Sequence, residues 1–450
     1  MNGAILIRGG RILTMDPVLG ELDGDVLIED GAIVAVAAGL EAPHARIVDA
    51  SASFVLPGFV DTHRHAWQSV VRFLGSSWDV NQYMARAHQV IAPAISPEEA
   101  FLGDRLSALS CLDAGITTVC DESHVQHSPA HTERVIEALR LSGIRARFGF
   151  GWSAGPHNLL GSDDPHPAHL EATRAGLLGD DAALVTMYAM LRGPVLSSSR
   201  RCLDDVARAR ALDLRMSFHV GHPNTEGRRE ISLLDDLKLL GPDMLFIHGG
   251  QSSDEELRMM ADAGISLSIA AVVESRMAGI GRPVTSRALA AGVAPSFSAD
   301  TELAAAGDMF GVMRAAYMAD QLERMTLTEA GADAGALPEL TPQALLQFAT
   351  IGGARACGLG AVTGSLTPGK KADLILIDRD APNLISPADS ATRIVTGAHP
   401  GNVSTVFVDG VEHKSHGVLR QRAALDDLRE PLHISGQRLL ALVDENRRTS

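Results

Sequence analysis

The chain has 450 residues, room for one large domain with an appendage or for two ordinary domains. Hydrophobic residues make up 46% and charged residues 21%, a globular composition that excludes a disordered chain. Lys and Arg number 39 against 55 Asp and Glu, a net charge of −16 with no basic run to offset it, so nucleic acid and anionic membrane surfaces are not expected partners.

The amino-terminal stretch MNGAILIRGGRILTMD is broken by Arg8 and Arg11 and lacks the pattern of a signal peptide. No run of 18 apolar residues is present to span a bilayer, so a soluble, cytoplasmic protein is expected. From residue 1 to 57 the sequence is strand-like: AILIRGGRILTM, GDVLIEDGAIVAVAA and ARIVDASASFVLPG are β-rich runs parted by Gly and Asp turn signals. Between about 58 and 360 short apolar runs recur: FVLPGFVDTH, GITTVC, RARFGFGW, ALVTMYAM, RMSFHV, MLFIHGG, ISLSIAA and APSFSAD. Helical patterns such as PEEAFLGDRLSALSCLDAG and GRREISLLDDLKLLG lie between several of them, and GADAGALPEL reads as a loop between helices. Eight strands alternating with helices over about 300 residues predict an α/β fold, a (β/α)₈ barrel with insertions. An open doubly wound sheet is the alternative, but no Gly-x-Gly-x-x-Gly turn follows any of these strands. The carboxyl end returns to β texture in GSLTPGKKADLILID and STVFVDGVEHKSHGVL. The expected organisation is a barrel over 58–360, a small composite β-sandwich from 1–57 plus 361–420, and a helical segment over 421–450. The cysteines Cys111, Cys120, Cys202 and Cys357 show no Cys-x-x-Cys spacing and are expected to be reduced and buried.

Chemistry in a barrel of this type sits where the strands end. The first strand ends Asp61-Thr62-His63-Arg64-His65, and strand alternation turns His63 and His65 the same way. Two imidazoles on one side make a chelate for a divalent metal. The fifth strand ends at His219, the sixth at His248 and the eighth at Asp300, each a polar ligand type closing an apolar run.

PGFVDTHRH, those two strand-ending histidines and the strand-ending aspartate resemble the amidohydrolase superfamily. ATIGGARACGLG followed by TGSLTPGKKADLILID resembles that family's return from barrel to composite sheet. The resemblance runs from about residue 4 to about 418 and is nearest to the cytosine deaminase and chlorotriazine hydrolase group. It implies a metal-dependent barrel hydrolase acting on carbon–nitrogen bonds, with His63, His65, His219 and Asp300 as metal ligands. His248 matches a histidine that contacts the metal-bound water or the substrate. The resemblance also implies that metal-bound hydroxide attacks an electrophilic carbon, that Asp300 accepts its proton and that His248 polarises the group attacked. The group commonly forms homo-oligomers and acts on small molecules.

Binuclear relatives bridge two metals with a carboxylated lysine, usually from the fourth strand. The lysines of this chain are Lys238, Lys370, Lys371 and Lys414, none of them in strands one to five, so one divalent ion per chain is expected, Zn²⁺ first and Fe²⁺ second. Related deaminases carry a glutamate three residues after the fifth-strand histidine; here that position is His222, which reads either as a proton relay or as a loop residue. Glu274 reads as a solvated loop carboxylate or as the replacement for that glutamate. His124 is a candidate pocket residue, while Asp121 and Glu122 face the pocket or cap the next helix. Trp67 and Gln68 follow the histidine pair, with Trp67 stacking on a flat substrate or packing in the core. The leading expectation is hydrolytic deamination of a nitrogen heterocycle; amide, lactam or carbon–halogen hydrolysis on the same site is the alternative.

Overall fold

The computed structural model describes residues 3–155, 163–221 and 229–449. The run FVLPGFVDTH divides at Gly58 into two strands serving different sheets, Ser53–Pro57 and Phe59–Arg64. A Cβ at Gly58 would stand 2.1 Å from Thr117 Oγ1, so only glycine lets the chain cross between the sheets this close to its neighbour.

Phe59–Arg64 opens a barrel of eight parallel strands, continued by Ile116–Ser123, Arg145–Phe150, Val185–Leu191, Met216–Val220, Met244–His248, Ser266–Ile269 and Pro295–Phe297. All eight predicted apolar runs are therefore strands. The parallel sheet is buried almost throughout, as continuous apolar runs require. The ring closes where the Asp300 amide donates to His63 O (3.0 Å) and the His65 amide donates to Asp300 O (2.8 Å). Inside the barrel, Thr62 Oγ1 lies 2.7 Å from Ser268 Oγ, and Ser296 Oγ donates to Thr62 Oγ1 at 3.2 Å. These hydroxyls pin the first, seventh and eighth strands together beneath the site.

The second sheet is mixed, with nine strands. Its amino-terminal part holds Ile5–Leu13, Glu21–Glu29, Ala32–Ala37, Arg46–Asp49 and Ser53–Pro57; its carboxyl-terminal part holds Leu374–Asp378, Val403–Val408, Val411–Ser415 and Val418–Leu419. The two parts join where Ser53–Pro57 pairs antiparallel with Leu374–Asp378. The sheet has its own apolar core, including Ile7, Ile28, Val55, Leu374 and Phe407. A buried ion pair couples it to the barrel: Arg145 Nε and Nη2 donate to Asp373 at 2.6 and 3.0 Å. The cysteines are free and buried, and among the described residues no helix is long and apolar enough to cross a membrane.

The predicted helix after the first strand spans Pro97–Asp113, opened by Ser96 and Glu99 in a reciprocal cap with Pro97 in its first turn. Glu99 has a second duty. The carboxyl-terminal helix Arg429–Thr449 packs against the barrel through Arg438, whose Nε and Nη2 donate to the two Glu99 oxygens at 2.8 and 2.5 Å. Burial alone would raise Glu99, but the hydrogen bonds from Arg438 and the Ser96 amide outweigh it and hold the carboxyl below its usual range. A lowered folded value means that this stabilisation is complete above the unfolded carboxylate pKa, about 4.3, and is lost as pH falls through the folded one. Arg438→Met is accordingly expected to lower the melting temperature by about 2–4 °C near neutral pH. Melts taken at successively lower pH should show that difference shrinking; a constant difference would rule out the Glu99 contact as its origin.

Candidate active site

The histidine pair does not sit on a regular strand. Between Asp61, paired with Val119, and Arg64, paired with Asp121, the first strand carries one more residue than its neighbour. Beside this bulge His63 and His65 lie on the same side with ring centroids 4.5 Å apart. Arg64 points the other way into a buried network. Its Nε donates to Asp61 Oδ2 (2.7 Å), its Nη2 to Gly307 O (2.5 Å), and its Nη1 lies 3.2 Å from Glu302 Oε2. Arg72 reaches the other Glu302 oxygen at 2.7 Å. The sequence around the ligands thus supplies both the site and the charged frame behind it.

His248 ends its strand and Asp300 stands three residues beyond the eighth, both with left-handed backbone, φ 72° and 60°. Such conformations cost about 1–3 kcal/mol for a residue with a side chain and cluster at functional sites. Both side chains are aimed inward. Asp300 Oδ1 lies 3.3 Å from His63 Nε2 and 3.6 Å from His65 Nε2, and Asp300 Oδ2 lies 3.9 Å from His248 Nε2. Ligand atoms of His63, His219 and His248 come within 4.8 Å of one another, as do those of His63, His65 and Glu122.

The opposite nitrogens of these rings face acceptors. His65 Nδ1 is 3.0 Å from the Glu122 carbonyl, and His248 Nδ1 is 3.0 Å from Glu274 Oε1. Glu122 Oε2 lies 3.2 Å from His63 Nδ1 and 3.8 Å from His219 Nδ1. A neutral imidazole with its proton on Nδ1 keeps the Nε2 lone pair for an ion.

The electrostatics fit a cation. Burial alone would push the His63 imidazole down, but the Glu122 charge and hydrogen bonding to Asp300 outweigh it and hold it up at about 10. Burial and the charge on His63 push its neighbour His65 down to about 4. Burial would raise Asp300, yet the hydrogen bond from His63 and the charge of His248 hold it at about 2. Two buried carboxylates thus draw positive charge to this position, which a bound ion would supply in place of the ring's second proton. Both Glu122 oxygens and both His63 nitrogens nevertheless lack a hydrogen-bond partner of ordinary geometry. Buried orphan groups of this kind are costly unless a cation completes them. Imidazoles with a carboxylate suit Zn²⁺.

Above this cluster lies a small cavity of about 60 Å³ that opens to solvent. His65, His124, His219, His248 and Asp300 form its polar floor; Val80, Tyr83, Met84, His88, Trp152, Leu196, Met277 and Ile280 form its walls. His124 stands between His88 and Trp152, with ring centroids at 4.5 and 4.8 Å, so the wall is aromatic and edge-on. Burial and the neighbouring imidazoles push His124 well below the usual histidine value.

Other expected site residues lie elsewhere. Trp67 is fully buried and packs in the core, away from the lining. Gln68 is also fully buried: its Nε2 donates to Tyr83 Oη at 2.7 Å and its Oε1 accepts from Thr301. Both belong to the layer behind Tyr83, because the 3₁₀ turn Ala66–Val71 runs under the cavity wall, with all six residues buried. Glu274 is neither solvated nor aimed into the cavity. It sits on the short helix Ala271–Arg276, accepts the Ala270 amide at 2.8 Å and backs His248. His222 lies outside the described residues. Sequence reasoning missed His88, Tyr83 and Trp152; no strand-end ligand pattern marks them, since all three supply aromatic wall.

A closed parallel barrel that gathers four imidazoles and a carboxylate at its carboxyl-terminal rim defines a metal-site hydrolase. The chain belongs to the amidohydrolase family, whose model matches residues 54–412. It is similar to the 5'-deoxyadenosine deaminase of Methanosarcina mazei, 27% identical over 432 residues covering 90% of this chain and 91% of that protein. It is likewise 28% identical over 433 residues to the 5-methylthioadenosine/S-adenosylhomocysteine deaminase of Symbiobacterium thermophilum, with 90% and 92% covered. Among solved structures, an adenosine deaminase from Xanthomonas campestris with bound zinc superposes with a TM-score of 0.82 at 22% identity, covering 97% of this chain and 98% of that one. Atrazine chlorohydrolase from Arthrobacter aurescens TC1 complexed with zinc gives 0.81 at 22% identity, covering 98% and 100%. The last two likenesses concern the fold.

Proposed function

We propose that this chain is a deaminase with one zinc ion per chain, replacing an amino group on a nitrogen heterocycle by oxygen with release of ammonia. The observation that carries this reading is the convergence of His63, His65 and His248 Nε2 on the Asp300 carboxylate, at 3.3, 3.6 and 3.9 Å, on the floor of an aromatic cavity. The names of the curated relatives support it, since the compared relatives are deaminases of adenosine derivatives.

In this reading His63, His65, His219 and Asp300 hold the ion. When bound, such an ion polarises its ligands and acidifies water towards neutral pH. The chain's own residues do the rest. Asp300 takes up a proton at Oδ2, the oxygen on the His248 side. His248, fixed at Nδ1 by Glu274, presents Nε2 to the group under attack. Glu274 therefore acts through His248. His222, three residues beyond His219, is left to pass a proton to the leaving nitrogen. His124 and the walls formed by Tyr83, His88 and Trp152 receive the flat ring edge-on or stacked.

The test is a product assay on purified enzyme of measured metal content, across amino-heterocycles, lactams and aryl halides. Ammonium release from an amino-heterocycle with about one zinc per chain is the expected result. Turnover confined to lactams or aryl halides without ammonium would replace deamination by the alternative reaction. Two metal equivalents at full activity would overturn the single-ion reading.

A further inference from the structure

Glu122 faces the Nδ1 side of three of the clustered imidazoles. Its backbone carbonyl is 3.0 Å from His65 Nδ1, and its side-chain Oε2 is 3.2 Å from His63 Nδ1 and 3.8 Å from His219 Nδ1. It is fully buried, and neither carboxylate oxygen has a hydrogen-bond partner. A buried carboxylate costs several kcal/mol unless a compensating group faces it, and here the His63 imidazole does, at 3.2 Å. Helix capping does not provide another: the next helix, Pro129–Ser142, begins after Ser128, six residues on. The adjacent Asp121 faces elsewhere, accepting the Ala66 amide at 3.1 Å.

We propose that Glu122 is the shared outer acceptor of the metal centre, a positioning residue that keeps the protons of His63 and His219 on Nδ1 and so turns their Nε2 lone pairs towards the ion. The inference rests on the metal reading above. A metal-binding imidazole commonly donates its second N–H to a carboxylate or a carbonyl, and removing that partner typically costs 10–100-fold in metal affinity. One residue serving both histidines couples the first and fifth strands, which contribute ligands from separate parts of the barrel. His248 has its own carboxylate in Glu274 at 3.0 Å, so the arrangement is built twice.

The experiment compares wild type with Glu122→Gln, which keeps the shape and removes the charge. Zinc affinity by competition with a chromophoric chelator is expected to fall about 10–100-fold. The ligand-field absorption of the cobalt-substituted protein is expected to shift, and the loss of melting temperature should be larger in the zinc-loaded protein than in the chelator-treated one. Equal affinity with an unchanged cobalt spectrum would overturn the inference, as would an equal loss of melting temperature in both forms, which marks a merely structural role. Two bound equivalents in wild type and one in Glu122→Gln would also overturn it, making Glu122 a direct ligand. Should Glu122→Gln fail to fold, Glu122→Asp, which keeps the charge on a shorter arm, must still show weakened zinc binding. A wild type that takes up no metal would instead refute the metal reading, so the two failures are distinct.

Discussion

Alanine at His63 is expected to remove turnover, by roughly 10⁴-fold or more, while the barrel stays folded. Residues that act as one unit lose nearly everything when any member is deleted, and His63 is the ring at the centre of this one. It lies between Glu122 and Asp300, and its centroid is 4.5, 4.8 and 5.8 Å from those of His65, His219 and His248. The backbone is a different matter. His63 O accepts the Asp300 amide through a main-chain bond that alanine keeps, so far-ultraviolet circular dichroism should be unchanged. At Asp300 the choice of substitution decides whether the fold is perturbed as well. Its φ of 60° is tolerated by Asp and Asn better than by alanine. Asp300→Asn should therefore abolish turnover with little loss of stability, and Asp300→Ala should abolish it with an added cost of about 1 kcal/mol or more. Zinc content after dialysis, measured beside kcat, checks the origin of the loss. Normal kcat in either zinc-depleted variant would exclude these residues as the metal-binding catalytic unit.

The second large effect is on stability. Arg64→Met leaves Asp61 and Glu302 buried with their strongest partner gone. Breaking a buried pair from one side typically costs about 3–5 kcal/mol. Glu302 would retain Arg72 at 2.7 Å, Ser69 at 2.5 Å and Ser107 at 3.0 Å, so Asp61 suffers most. Asp61 Oδ1 also accepts the Ala299 amide at 3.1 Å, on the segment leading to Asp300. The variant should therefore melt several degrees lower and bind zinc more weakly, both from one cause. Adding Asp61→Asn to Arg64→Met removes the stranded charge and should recover part of the melting temperature. A double variant less stable than Arg64→Met alone would refute stranded charge as the source of the loss.

Much of this site was legible without coordinates because it is written in local pattern. A parallel strand buried on both faces must be a short apolar run, and a polar residue closing such a run is visible in one dimension. His63, His65, His219, His248 and Asp300 all follow that rule, and the structure draws them together. The β texture of both chain ends foretold the second sheet for the same reason.

What lay beyond the pattern depends on neighbours far along the chain. Alternation alone would place His63 and His65 on a regular strand; in fact that strand bulges against the second between Asp61 and Arg64. Asp121 and Glu122 are adjacent carboxylates at one strand end. Only closure of the barrel decides that Glu122 meets His63 and His219 while Asp121 meets the Ala66 amide. Trp67 and Gln68 follow the ligands in sequence but belong to a turn whose packing under Tyr83 carries them behind the wall. Glu274 rides on a six-residue helix, too short to orient itself, and contact with His248 from the sixth barrel strand decides where its carboxylate goes. The sequence by itself determined which residue types stand at the strand ends, because strand burial is a local property. The tertiary structure alone decided which of them share a proton or back a ligand, because those contacts join residues 26 to 237 positions apart.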